Sequence, residues 1–154
     1  MSTTAQSARR YDATESIDFP AFSYADALSA GLAVVAEGNE RQLPIAVTIT
    51  FGEQTVFHAA LPGTSADNDH WLSRKIRVVN RYGSASLAIV ERFASGGVDP
   101  RVIPGFDPEI LPASGGAVPI RVQGSLVGAI AVSGLTDVED HDLAMRALAT
   151  VLAP

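Results

Sequence analysis

Hydrophobic positions along the chain switch between a helical and an extended period. From Ser23 to Glu37 the apolar residues Tyr24, Leu28, Leu32, Val35 and Ala36 recur at steps of three and four, which predicts an amphipathic helix stopped by Gly38-Asn39. Ile45, Val47, Ile49 and Phe51 then alternate strictly with smaller or polar neighbours, the mark of a strand with one buried face. Gly52-Glu53 fits a two-residue II′ turn. That register sets Val47 opposite His58 and Ile49 opposite Val56, and it turns His58 toward the core. After the Pro62-Gly63-Thr64-Ser65 turn, Asp67 or Asn68 can cap a second helix. Its apolar stripe is Trp71, Leu72, Ile76, Val78, Val79 and Tyr82, with His70, Arg74, Arg77 and Arg81 on the opposite ridge. Lys75 lies inside the apolar stripe. Gly83 ends this helix, and Ser84 to Ala94 continues as a shorter one through Leu87, Val90 and Phe93.

Ser95 to Pro112 holds too many glycines and prolines for a regular element and predicts a long irregular loop, of the kind used for function or for interfaces. Two strands follow about Gln123-Gly124, Ala117 to Val122 and Ser125 to Val132, whose simple hairpin register gathers Val118, Ile120, Val122, Val127 and Ala129 on one face. The chain leaves through Ser133-Gly134 into a last helix opened by a capping box, Thr136 with Glu139, and carrying Ala144, Leu148, Val151 and Leu152 inward. Asp137, Glu139 and Asp140 crowd its first turn, where the helix dipole favours negative charge. Helix, hairpin, helix pair, loop, hairpin, helix is the order of an α+β fold, with a central antiparallel sheet built from two hairpins and flanked by helices. Residues 1–19 read as a flexible tail, and 20–154 as a single domain.

Charge and composition narrow the function. The 154 residues carry a formal charge of −6 and no cysteine. An acidic chain lacks the field that draws nucleic acid or anionic membranes, and the missing thiols exclude disulfides, thiolate metal sites and cysteine nucleophiles. No secretory h-region and no run of about 18 apolar residues is present, so a cytoplasmic protein is expected. Walker, dinucleotide, G-x-S-x-G and H-E-x-x-H motifs are absent as well.

The remaining candidates for chemistry are few. His141 shares a helical face with Ala144, Leu148 and Val151 and so looks toward the sheet, either as a satisfied core histidine or as one wall of a pocket shared with His58. Lys75 either snorkels past Trp71 to water or meets an anion in a pocket. Gly63-Thr64-Ser65, ahead of a helix, offers backbone N–H groups to an anion or is simply a turn before a capped helix. The clustered acids of the last helix diverge by about 100° per residue and cannot share one ion, so no metal site is expected.

Several segments together resemble a known family. VFHAALPGTSADNDHWLSRK, the SAS at Ser84 to Ser86, GGAVPI at Gly115 to Ile120 and VSGLTDVEDH at Val132 to His141 are similar to the small cytoplasmic branch of the GlcG/HbpS superfamily, which includes the C-terminal domain of PduO proteins and is labelled a haem-degrading domain. The resemblance implies a profilin-like α+β domain that assembles into dimers or larger rings, and some relatives bind haem or are linked to cobalamin chemistry. Trp71 and Lys75 belong to its WLSRK segment. The expectation is therefore an oligomeric small-ligand-binding protein, its pocket formed by His58, Gly63, Asn68, Trp71, Lys75 and His141. The ligand would be anionic, with haem or another tetrapyrrole as the instance suggested by the family. Two rivals stand beside it: an enzyme using His58 or His141 as general acid/base on that ligand, and a non-catalytic assembly or adaptor module.

Overall fold

A computed structural model describes residues 16–97, 99, 102, 104, 107 and 114–152. Among the described residues nine elements follow one another: β1 (Asp18–Phe19), α1 (Tyr24–Glu40), β2 (Ala46–Phe51), β3 (Gln54–Ala60), α2 (Ala66–Tyr82), α3 (Ser86–Ser95), β4 (Ala117–Val122), β5 (Ser125–Ser133) and α4 (Asp137–Leu152). The sheet order is β1-β4-β5-β2-β3, antiparallel except for β1 beside β4. This is the expected α+β fold on two hairpins, with one strand added. Asp18 and Phe19 pair with Arg121 and Val122, and Phe19 is buried, so the sheet begins inside what reads as tail. Residues 1–15 of that tail and most of the loop expected between Ser95 and Pro112 lie outside the described residues.

The two faces of the sheet carry different side chains. Large residues, among them Ile45, Val47, Ile49, Val118, Ile120, Ile130 and Val132, meet α1 and α4 on one face. The other face is built from Ala46, Ala117, Ala129 and Ala131, small enough for α2 to settle close through Leu72, Ile76 and Val79. Helix caps match their sequences. Ser23 with Asp26, Ser65 with Asn68 and Thr136 with Glu139 form reciprocal pairs that satisfy N-terminal N–H groups. Ser65 is thus the cap of α2, two or three residues ahead of the expected Asp67 or Asn68.

Helix α1 is rotated from its expected orientation. Its buried face is Ala27, Ala30, Gly31, Val34 and Gly38, whereas Tyr24, Leu28 and Leu32 are 63%, 51% and 52% exposed. Close approach decides the matter: a Cβ on Gly31 would lie 2.3 Å from the Phe57 ring and one on Gly38 would lie 2.4 Å from Leu61. Small residues let this helix sink onto the edge of the sheet. Gly38 is therefore a packing position within the helix and not its stop.

Each hairpin also contains a β-bulge that the simple register lacks. In the first, Phe51 pairs with Gln54 and Thr50 with Thr55 across the Gly52-Glu53 turn, but Ile49 then pairs with Phe57 and Thr48 with His58. Val56 is the extra residue. In the second, Arg121 pairs with Leu126 and Ile120 with Gly128, which leaves Val127 over. A one-residue slip exchanges the faces beyond it. Val127 accordingly emerges at the surface, Ala129 turns to the α2 side, and Ile130 and Val132 take the core positions.

Candidate functional site

The bulge at Val56 carries His58 across the sheet. His58 does not face the large-residue core; it stands on the α2 side opposite Thr48, with its side chain 40% exposed. Strand β2 alternates apolar residues toward α1 and α4 with Ala46, Thr48 and Thr50 toward α2, so two hydroxyls accompany His58 there. Asp69, Leu72, Ser73, Ile76, Arg77 and Asn80 of α2 recur at helical spacing along the facing wall. Between these elements runs a groove of about 540 Å³, lined as well by Gly52, Glu53 and Thr55 about the hairpin turn.

Inside it three side chains are linked. The Thr48 hydroxyl lies 2.6 Å from His58 Nδ1, and Asp69 Oδ1 lies 3.4 Å from His58 Nε2. A carboxylate only accepts, so in the tautomer that turns an Nε2 proton toward Asp69, Nδ1 accepts from Thr48. Thr50, one position further along the same face, is 8% exposed, and its Oγ1 has no hydrogen-bond partner among the described residues. That atom is sealed from solvent, and a buried hydroxyl left unpaired is costly.

The other expected site residues do not join this groove. Lys75 is buried, and its Nζ donates to Val132 O at 2.8 Å and to Asp140 Oδ2 at 3.0 Å. It neither snorkels to water nor waits for a ligand, because its anion is supplied by the chain's own α4. Gly116, with φ 130°, makes the approach possible: a Cβ there would stand 2.5 Å from Val132 O and 2.8 Å from Lys75 Nζ. Burial pushes the Asp140 carboxyl up from its ordinary value, opposed by the Lys75 ammonium and by the Leu135 N–H at 3.0 Å.

His141 is buried against the sheet as its helical face requires, but neither ring nitrogen has a partner among the described residues. Burial pushes this imidazole down from its ordinary value, with Asp142 opposing. Because α4 packs on the large-residue face and His58 lies on the α2 face, the sheet separates the two histidines. Asn68 serves the cap, its Oδ1 accepting from Ser65 N while Nδ2 reaches Ser133 Oγ at 3.4 Å. Trp71 is half-buried beneath the Arg74 guanidinium, 4.9 Å from the ring centroid. Gly63, at φ 95°, is required by the closeness of Pro44, whose Cβ would be 2.8 Å from an added Cβ.

The sequence reading missed Thr48, Thr50 and Asp69. Their signal was the Ile-Thr-Ile-Thr alternation, which offers a hydroxyl face as clearly as an apolar one, together with Asp69, Ser73, Ile76 and Asn80 at one helical face. Among the described residues, no three His, Asp or Glu side chains gather as metal ligands, and no helix is long and apolar enough to cross a membrane.

A family model for the haem-degrading protein HbpS-like group matches residues 22–149. The chain belongs to the HbpS-like family. Among its relatives, the UPF0303 protein of Streptomyces avermitilis is 46% identical over 133 residues, covering 86% of this chain and 82% of its own. A UPF0303 protein of Streptomyces coelicolor is 45% identical over 131 residues, 84% and 83% of the two chains. The Ybr137w protein superposes with a TM-score of 0.77 at 27% identity, over 86% of this HbpS-like chain and 80% of that one. PduOC in complex with haem gives a TM-score of 0.71 at 19% identity over 84% and 94%, a likeness of fold.

Proposed function

We propose that this HbpS-like chain binds a small polar ligand in the groove between β2–β3 and α2. The observation that carries the reading is the Thr48–His58 pair, with His58 40% exposed, in a groove large enough for a small molecule. The charge of the ligand is set here and not by Lys75, whose ammonium is matched by Asp140. Haem is the ligand suggested by the family description and by the PduOC complex. Against it, the groove's apolar floor is Leu72 and Ile76, its walls are hydroxyl and charged groups, and both His58 nitrogens already face partners. Those residues do not fit a buried porphyrin.

Amide shift mapping by NMR with lactate and with ribose, one anionic and one neutral, tests the proposal. Shifts confined to Thr48, His58, Asp69 and Asn80, weakened by His58→Gln, are expected. A saturable Soret shift with hemin that His58→Ala abolishes would overturn the polar-ligand reading in favour of haem.

Self-association is part of the same proposal. Its support is the Tyr24, Leu28 and Leu32 stripe on α1, beside the outer strand β3, whose outer edge has no partner strand among the described residues and can pair with the same edge of a second copy. Light scattering should show an oligomer that Leu28→Glu dissociates; an unchanged mass would remove this surface from the interface.

A further inference from the structure

We propose that Thr48, His58 and Asp69 form an acyl-transfer site for small esters, with Thr48 as nucleophile. The inference rests on the groove reading above and adds chemistry to it. A hydroxyl is a weak nucleophile until a base takes its proton, and here the base is already in place, 2.6 Å away. Asp69 Oδ1 stands 3.4 Å from Nε2 and favours the tautomer with its proton there, in which Nδ1 accepts from Thr48. Half-exposure of His58 lets the proton it takes reach a leaving group or water. Asp69 is 50% exposed, so its contact with His58 adds little stability; its consequence is to fix the tautomer and to oppose the imidazolium charge. Leu72 and Ile76 floor the groove where a short acyl chain would lie.

The step balances without an oxidant or a metal. Thr48 Oγ forms a bond to the ester carbonyl carbon, its proton passes to His58 Nδ1, the bond from that carbon to the alkoxide oxygen breaks, and the alkoxide takes the proton from His58. Water then enters by the same route, giving its proton to His58 while its oxygen displaces Thr48 from the acyl carbon. The carboxylic acid leaves and Thr48 regains its hydroxyl. Thr48 and His58 are the catalytic residues, and Asp69 is a positioning residue.

p-Nitrophenyl acetate is the probe, read as release of p-nitrophenolate together with acid-quenched peptide mass spectrometry of the whole chain. One acetyl group mapped to Thr48 is expected. Thr48→Val should abolish it, Thr48→Ser should retain an adduct at that position, and His58→Gln should slow acylation by ~10²–10⁴-fold. Asp69→Asn should lower the acylation rate and change its pH profile, which a merely structural carboxylate would not do. Acetylation confined to lysines or the amino terminus, or a rate indifferent to Thr48→Val, overturns the proposal. If lactate or ribose still titrates the groove in that case, only the catalytic inference falls; if neither binds, the binding reading falls with it.

Discussion

Lys75→Met should unfold this protein far more readily than a change at an ordinary lysine. The Lys75 and Asp140 side chains are 3% and 2% exposed, and their charged atoms are 3.0 Å apart. At that separation the attraction is about 5–6 kcal/mol with an effective dielectric of about 20. Met keeps the length and apolar stem of the side chain but deletes the ammonium, leaving the Asp140 carboxylate sealed with the Leu135 N–H at 3.0 Å as its remaining partner. Removing one member of a buried pair costs about 3–5 kcal/mol. With a urea slope of about 2 kcal/mol/M, the unfolding midpoint should fall by ~1.5–2.5 M.

Lys75→Met/Asp140→Asn removes both charges and should be more stable than Lys75→Met, because the second change neutralises the group that the first one stranded. Equilibrium urea denaturation of parent, singles and double measures this cycle. A loss below about 1 kcal/mol for Lys75→Met, or a double variant equal to the sum of the singles, would refute the picture of a dry, coupled pair. The same result bears on function. An alanine at Lys75 would weaken ligand binding through misfolding, so it cannot report on the site.

Three further outcomes follow from burial. His141 has its folded pKa lowered below the ordinary 6.5, so the unfolded chain binds the proton first; its contribution to stability is present above about pH 6.5 and is lost as pH falls toward the lowered value, at up to about 1.4 kcal/mol per pH unit. Urea midpoints at pH 7.5 and 5.5 should therefore converge in His141→Leu, and an unchanged slope would clear His141. Ser86 is fully buried and its Oγ accepts from Ala117 N at 3.0 Å, so Ser86→Ala leaves that N–H without a partner and should cost about 1–3 kcal/mol by the same assay. Gly31→Ala places a Cβ 2.3 Å from the Phe57 ring and should cost about 1–3 kcal/mol, part of which Gly31→Ala/Phe57→Leu regains if the ring is the obstacle.

Periodicity made the elements legible, and for short-range reasons. Strand alternation, the Gly52-Glu53 turn and the Thr136–Glu139 capping box depend on neighbours a few residues apart, and each is found where the pattern places it. The buried face of α1 was not legible, because counting large apolar residues selects Tyr24, Leu28 and Leu32, whereas the sheet selects Ala27, Ala30 and Gly31 for closeness. Lys75 was legible as an anomaly inside an apolar stripe but not in its role. Its partner lies 65 residues further along the chain on another helix, and no local spacing points to Asp140.

The candidate site turns on a single backbone irregularity. With a simple register, His58 would enter the core face and Thr48 would look toward α2 without a base beside it. The extra residue at Val56 reverses the side chains beyond it, which places His58 directly across from Thr48 and within reach of Asp69. Bulges re-aim side chains wherever a sheet must depart from its own alternation, and this one does so where the groove requires an imidazole. The bulge at Val127 works in the opposite sense for stability, turning Ala129 and Ala131 toward α2 so that the helix carrying Asp69 can sit close. One slip supplies the ring and the other sets the distance of the wall facing it, so the geometry at His58 is a property of both hairpins together.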